Sequence, residues 1–417
     1  MHDRERPVLS VEDALSRILG AVDVLSSESV AILDAVGRVL AEQVFADSDI
    51  PPLANSAMDG FAVRAEDLVE EPVRLRVVGY AAAGHLAGVS VGRGQAVRIM
   101  TGAPLPDGAD TVVRFEDTDT DADWVDVLRV PHPGANARPA GEDVRAGQLV
   151  MKPGKVLRPQ EVGMLAALGR MSVSVVRQPR VAIIATGDEI VAPDQEPGPG
   201  QIRDANSYGV AAQVQQNGGQ VVVLGIAQDE ESLVRQQMRA ALAENVDIVV
   251  TSGGVSVGDF DLVKKVLASE GEMHFWSINM KPARPLAFGV VYNSAASPPR
   301  RVPLLGLPGN PVAAMLSMEL FGRPALLKMQ GFTDWSRPIV KARICEPIKR
   351  KDGRRHYLRV RLEHTESGLL ASLTGGQGSG ILSSMVQADG LAVIPESVDH
   401  LPVGTQVDVI LLPPRGA

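Results

Sequence analysis

The apolar positions near the start of the chain recur at helical spacing. Ser10 is placed to cap a helix, Asp13 follows three residues on, and Leu15, Ile18, Leu19 and Val22 form one face. After Asp47 the period shortens to two, in runs such as Val73-Leu75-Val77 and Val125-Val127 broken by Gly, Pro and Asp clusters. Residues 47–147 therefore read as a mainly β module. Between 148 and 178 a second helix is marked by Val162, Leu165, Ala166 and Leu168 with a Gly169 stop, and this segment is expected to rejoin residues 1–46 as one discontinuous helical and linker domain.

From 179 to 332 strand and helix patterns alternate: RVAIIAT, NSYGVAAQVQQ, QVVVLGIA, EESLVRQQMRAALAE, DIVVTSGG, and later VPLLGLPGNPVAAMLSMEL. Such alternation needs crossover connections, which predicts a mainly parallel sheet sandwiched by helices. Residues 333–417 return to short strands, PIVKARI, HYLRVRL and TQVDVILL, and predict a small β-barrel or sandwich. The fold class is multidomain α/β.

Length agrees, since 417 residues exceed what one core sustains. No stretch approaches the roughly 18 uninterrupted apolar residues of a membrane span, and the charged start MHDRERP lacks the apolar segment of a signal peptide, so a cytoplasmic protein without a membrane partner is expected. A net charge of -9 argues against nucleic acid as a partner. One local exception runs from Lys349 to Arg361, with seven basic residues and one acid around Asp352-Gly353, a hairpin-turn signal. It reads either as a solvated hairpin or as a patch for an anionic ligand or partner. The single cysteine, Cys345, follows Ile344 and is expected at a buried strand position, not as a nucleophile.

Ligands of open parallel sheets bind beyond the carboxyl ends of the strands. Four successive strand ends here carry acids or glycine loops: Thr186-Gly187-Asp188-Glu189, Asp229, Ser252-Gly253-Gly254-Val255-Ser256-Val257-Gly258-Asp259-Phe260-Asp261, and Leu307-Pro308-Gly309-Asn310-Pro311. The glycines let backbone N–H groups turn toward an anion, which suits phosphate, although Asp229 alone could be a helix N-cap. Carboxylates repel phosphate unless a cation lies between them, so Mg²⁺ held by Glu189, Asp229, Asp259 and Asp261 is implied. Zinc spacing and a P-loop are both absent from the sequence.

These motifs, with Asn55-Ser56-Ala57-Met58-Asp59-Gly60-Phe61-Ala62-Val63, Thr101-Gly102-Ala103-Pro104 and Gly141-Glu142-Asp143, resemble those of the molybdopterin molybdenumtransferases, the MoeA and gephyrin E-domain family, over essentially the whole chain. The resemblance implies a central molybdopterin-binding α/β domain of three layers, a β-rich module and a C-terminal β-barrel. It implies a reaction in which molybdate enters adenylylated molybdopterin with release of AMP. It also implies an elongated homodimer in which Asp59, Thr101 and Asp143 face Glu189, Asp229, Asp261 and Lys281 across the subunit interface. Arg284 would join Lys281 in attracting molybdate. Gly187, Asn206, Ser252, Gly253, Gly254, Ser256, Gly258, Pro308, Gly309, Asn310, Pro311 and Ser379 would bind the pterin cofactor.

A molybdopterin adenylyltransferase and molybdoenzyme apoproteins would be partners. Where the family's bacterial pattern usually reads Lys-Pro-Gly-Lys, this chain has Lys281-Pro282-Ala283-Arg284, a departure expected to tune oxyanion choice, tungstate included. Phe61 in place of the more usual Tyr removes a hydroxyl. The alternatives are an adenylyltransferase acting one step earlier, a non-enzymatic scaffold, or a sugar or nucleotide phosphatase on an α/β sheet.

Overall fold

In the computed structural model, which describes residues 8–121, 123–228, 230–253, 271–293 and 299–413, a seven-stranded sheet organises the larger of two units. That unit comprises Met1–Glu28 and Val176–Ala417, and the other is Ser29–Val175. The sheet runs Val8–Leu9, Gly271–Ile278, Pro285–Asn293, Arg300–Leu307, Ile248–Ser252, Arg180–Thr186, Gln220–Ala227. Its last four strands are parallel, while 271–278 and 285–293 meander antiparallel onto 300–307.

Alternate side chains divide between two cores, as a strand buried on both faces requires. Val181 and Ile183 pack with Val210 and Val214 of the helix Asn206–Gln216. Ala182 and Ile184 pack on the other face with Val234 and Met238 of the helix Glu231–Ala243. Three layers result. Strand 180–186 lies between 220–227, which follows it in the chain, and 248–252, which comes later. The chain thus reverses its direction of winding between 180–186 and 248–252, and that reversal opens a crevice at their carboxyl ends.

The C-terminal strands settle as a barrel. Arg355–Thr365, Gly368–Leu373, Ile339–Ile344, Gln406–Leu411 and Gly390–Ile394 pair in that order, and the last pairs back on the first. Closure removes the exposed edges of a sandwich. In the smaller unit a six-stranded sheet of 111–114, 60–63, 95–99, 73–81, 124–127 and 118–120 buries Phe61, Val63 and Val113 on one side and Ala62, Val97 and Val112 on the other.

Three expectations change. The helix Val11–Gly20, capped by Ser10 Oγ accepting from Asp13 N at 3.0 Å, does not join 148–178. Val8 and Leu9 pair with Ser277 and Ile278, and Ala14 and Ile18 enter the core of Trp276, Leu326 and Met329, so an apolar stripe found a larger apolar surface. It is Ile32, Ala35 and Leu40 that share a cluster with Val162 and Leu165. The Asp352-Gly353 turn forms, with Gly353 at φ 58, yet no hairpin does: Ile348–Lys349 pairs with His400–Leu401, and Arg355–Thr365 belongs to the barrel. Cys345 is half-buried, because Ile344 takes the inward position and the next side chain points outward. Among the described residues no helix is long and apolar enough to cross a membrane.

Candidate functional site

Because four neighbouring strands are parallel, Thr186, Ala227, Ser252 and Leu307 all end at one edge of the sheet. The turns beyond them are tied together by backbone. Gly187 N donates to Ala227 O at 3.3 Å, and Gly253 N donates to Leu307 O at 3.2 Å. Asn206, the first residue of its helix, donates from Nδ2 to Ser252 Oγ at 2.9 Å and to Gly309 O at 2.7 Å. One amide thereby spans the reversal crevice and fixes two loops.

Glycine is required at two of these positions. Gly253 has φ 92, and a Cβ on it would lie 2.4 Å from Thr186 O. A Cβ on Gly187 would meet the Glu189 carboxylate at 2.5 Å, so the Glu189 side chain folds back over bare backbone at the strand end. Glu189 itself is exposed and free to face a ligand. Beyond Leu307, Pro308 is buried, Gly309 and Asn310 are exposed, and Pro311 opens a helix. Ser379 meets this loop: its carbonyl accepts from Val312 N at 3.0 Å. The structure thus brings Gly187, Glu189, Asn206, Ser252, Gly253, Pro308, Gly309, Asn310, Pro311 and Ser379 to the crevice edge. Asp229, Gly254, Ser256, Gly258, Asp259 and Asp261 lie outside the described residues.

A second cluster of the same unit gathers cations. Met280–Lys281 pairs with Arg355 and His356 of the barrel, and Lys281 Nζ lies 3.6 Å from Asp352 Oδ2. Burial opposes ionisation of Asp352, but hydrogen bonds from His356 and Arg354 outweigh it and hold the carboxyl well below the usual range. Burial pushes His356 down, against the pull of Asp352. Lys281, Pro282, Lys349, His356, Arg359 and Gly378 line a cavity of about 480 Å³.

Arg359 is the residue that reasoning from sequence missed. It is 1% exposed, with Nε donating to Ser384 Oγ at 3.0 Å and Nη2 to Gly378 O at 3.0 Å. No carboxylate pairs with it among the described residues, its Nη1 meets no protein partner, and burial pushes its pKa down to about 10. A buried cation without a counter-ion favours an anionic ligand. The available signal was its place between Tyr357, Leu358 and Val360, which marks a buried strand and not a solvated run. Most other cations of that run are already engaged: Arg350 with the carbonyls of Arg354, Pro395 and Val398, Arg355 with Glu12 and Glu396.

In the smaller unit, Thr101 donates from N and Oγ1 to Asp59 Oδ1 at 2.7 and 2.8 Å. Asp143 is held separately, its N donating to Ile50 O at 3.0 Å. Gly60 allows the Asp59 turn, since a Cβ there would sit 1.9 Å from Val113 O. The backbone donor of Thr101, then its hydroxyl, lowers the Asp59 pKa. A depressed folded pKa contributes stability above the unfolded value of 3.8, and that contribution is lost as pH falls through the folded value. Thr101→Val keeps the backbone donor and deletes the hydroxyl. The Asp59 carboxyl should then titrate higher, part of the way to its ordinary value, in a ¹³C NMR titration, and an unmoved titration would show that the hydroxyl holds nothing.

Family models match the chain in three consecutive segments: the MoeA N-terminal region (domain I and II) over residues 9–169, a probable molybdopterin binding domain over 182–328, and the MoeA C-terminal region (domain IV) over 341–412. A molybdopterin molybdenumtransferase of Nostoc sp. is 38% identical over 98% of this chain and 94% of its own. One from Haemophilus influenzae is 33% identical over 96% and 98%. Among solved structures, a molybdopterin biosynthesis MoeA protein of Pyrococcus horikoshii is 34% identical, covers 97% of this chain and 99% of its own, and superposes with a TM-score of 0.83.

Proposed function

The chain belongs to the MoeA family of molybdopterin molybdenumtransferases, and from that premise we propose that it inserts molybdate into adenylylated molybdopterin and releases AMP. The observation that carries this reading is the crevice edge where Asn206 joins Ser252 to Gly309 and where Glu189 stands exposed at a strand end. A crevice at the carboxyl ends of parallel strands, with the helix of Asn206 starting beside it, suits the pyrophosphate of a nucleotide-bearing pterin. The neighbouring cavity, with Lys281 at its rim and Arg359 in its wall, suits a dianionic oxyanion.

In the chemistry proposed, the two dithiolene thiols of the pterin bind molybdenum and an oxo group leaves as water with their protons, while a water molecule adds to phosphorus of the phosphoanhydride and breaks it, freeing AMP and leaving the pterin as its monophosphate. The sulfur ligands come from the substrate, so the protein supplies binding, orientation and charge. Mg²⁺ fits the donor chemistry here, because Glu189 offers a hard, exposed carboxylate beside loops suited to phosphate. When bound it would neutralise pyrophosphate charge, and Asp229, Asp259 and Asp261 would complete its carboxylates. Among the described residues no cluster of three or more His, Cys, Asp or Glu side chains forms such a site alone. Survival of AMP release in EDTA would remove the metal from this reading.

The protein acts as a homodimer in this proposal, with Asp59, Thr101 and Asp143 of one subunit serving the Glu189 site of the other. Mixed dimers of Asp59→Asn and Glu189→Gln chains collect both lesions in one site and leave the second intact. They should reach about half of wild-type activity per dimer. Mixed dimers no more active than either mutant homodimer would exclude the shared site.

A further inference from the structure

Among the described residues Ala283 is one of three non-glycine residues with positive φ, at 72°, and it is 5% exposed. An L-residue in that region is strained and confined to a small basin, whereas glycine ranges over both signs of φ. Such an outlier persists only where its surroundings enforce it. The surroundings are on view. Ile278 N donates to Arg284 O at 2.6 Å, Arg355 N donates to Asn279 O at 3.0 Å, and Met280 and Lys281 pair with Arg355 and His356.

Residues 278–281 and 284 are thus anchored, and the ring of Pro282 fixes its own φ. Ala283 is the joint left in this segment, two residues after Lys281 at the cavity rim. We infer that Ala283 is a positioning residue for oxyanion capture: its methyl group confines the joint, so Lys281 is presented in one arrangement before the anion arrives. The inference rests on the reading of the Lys281 cavity as the oxyanion site. Its energetic logic is preorganisation. If a looser joint holds the competent arrangement only part of the time, the apparent dissociation constant rises by the inverse of that fraction.

The test uses the full-length protein and sodium molybdate, with binding measured by calorimetry and Tm measured without ligand. Ala283→Gly should weaken molybdate binding by about threefold to tenfold, with Tm equal or higher because a strained residue has been relieved. A merely structural residue would lose affinity and Tm together. Unchanged affinity, or affinity lost only with a fall in Tm, overturns the inference. Lys281→Met, run alongside, reports on the underlying reading. Molybdate binding that survives Lys281→Met removes this cavity as the oxyanion site, and the inference falls with it. Binding lost in Lys281→Met but untouched in Ala283→Gly leaves the cavity assigned and overturns the role of Ala283 alone.

Discussion

Glu189→Gln is expected to lower AMP release by roughly a hundredfold to a thousandfold, the range seen when one electrostatic contact to a reacting group is removed. Glutamine keeps the length and shape that fold over Gly187, where a Cβ would stand 2.5 Å from the carboxylate, and it removes only the charge. The side chain is exposed at a strand end, so stability should change by no more than about 0.5 kcal/mol. Activity and stability therefore separate. Near-normal turnover at saturating substrate would take Glu189 out of the chemistry, and a large fall in Tm would make the loss structural.

Arg359→Met is expected to weaken molybdate binding by about tenfold, through loss of a positive charge behind the cavity wall. The wild-type guanidinium is buried, has no carboxylate partner among the described residues, and leaves Nη1 without a protein acceptor. An anion in the cavity would offset that buried charge across the wall and should raise the Tm of the wild type. Methionine fills similar space without the charge, so the variant's Tm should respond less to molybdate. Equal ligand-dependent shifts in both proteins would assign Arg359 to structure, as a clamp on the carbonyls of Gly376 and Gly378.

Much of this architecture is legible in the sequence. The run RVAIIAT is apolar on both faces and could only be a strand covered on both sides, and its Thr186-Gly187 end follows from the parallel order of four such runs. What periodicity does not say is which surface receives an apolar face. The helix Val11–Gly20 shows this, since its stripe is plain in sequence while its partners Trp276, Leu326 and Met329 lie hundreds of residues away.

Charge counting has the same weakness. In Lys349 to Arg361 it weighs Lys351 and Arg359 equally, although the first is exposed and the second is enclosed by a barrel strand paired on both sides. The strained φ of Ala283 is visible only in the backbone, because alanine carries no turn signal. The roles of Asp59, Thr101 and Lys281 came from resemblance, and the structure adds two specific contacts: Thr101 with Asp59, and Asp352 with Lys281.

The central claim is tested most directly by giving the purified protein adenylylated molybdopterin with Mg²⁺, with and without molybdate, and following AMP and molybdenum-bearing cofactor together. Molybdate-dependent release of AMP, matched by cofactor able to activate a molybdoenzyme apoprotein, is the predicted result. Intact adenylylated molybdopterin at the end of the reaction, or pyrophosphate release when ATP and free molybdopterin are supplied instead, would contradict it.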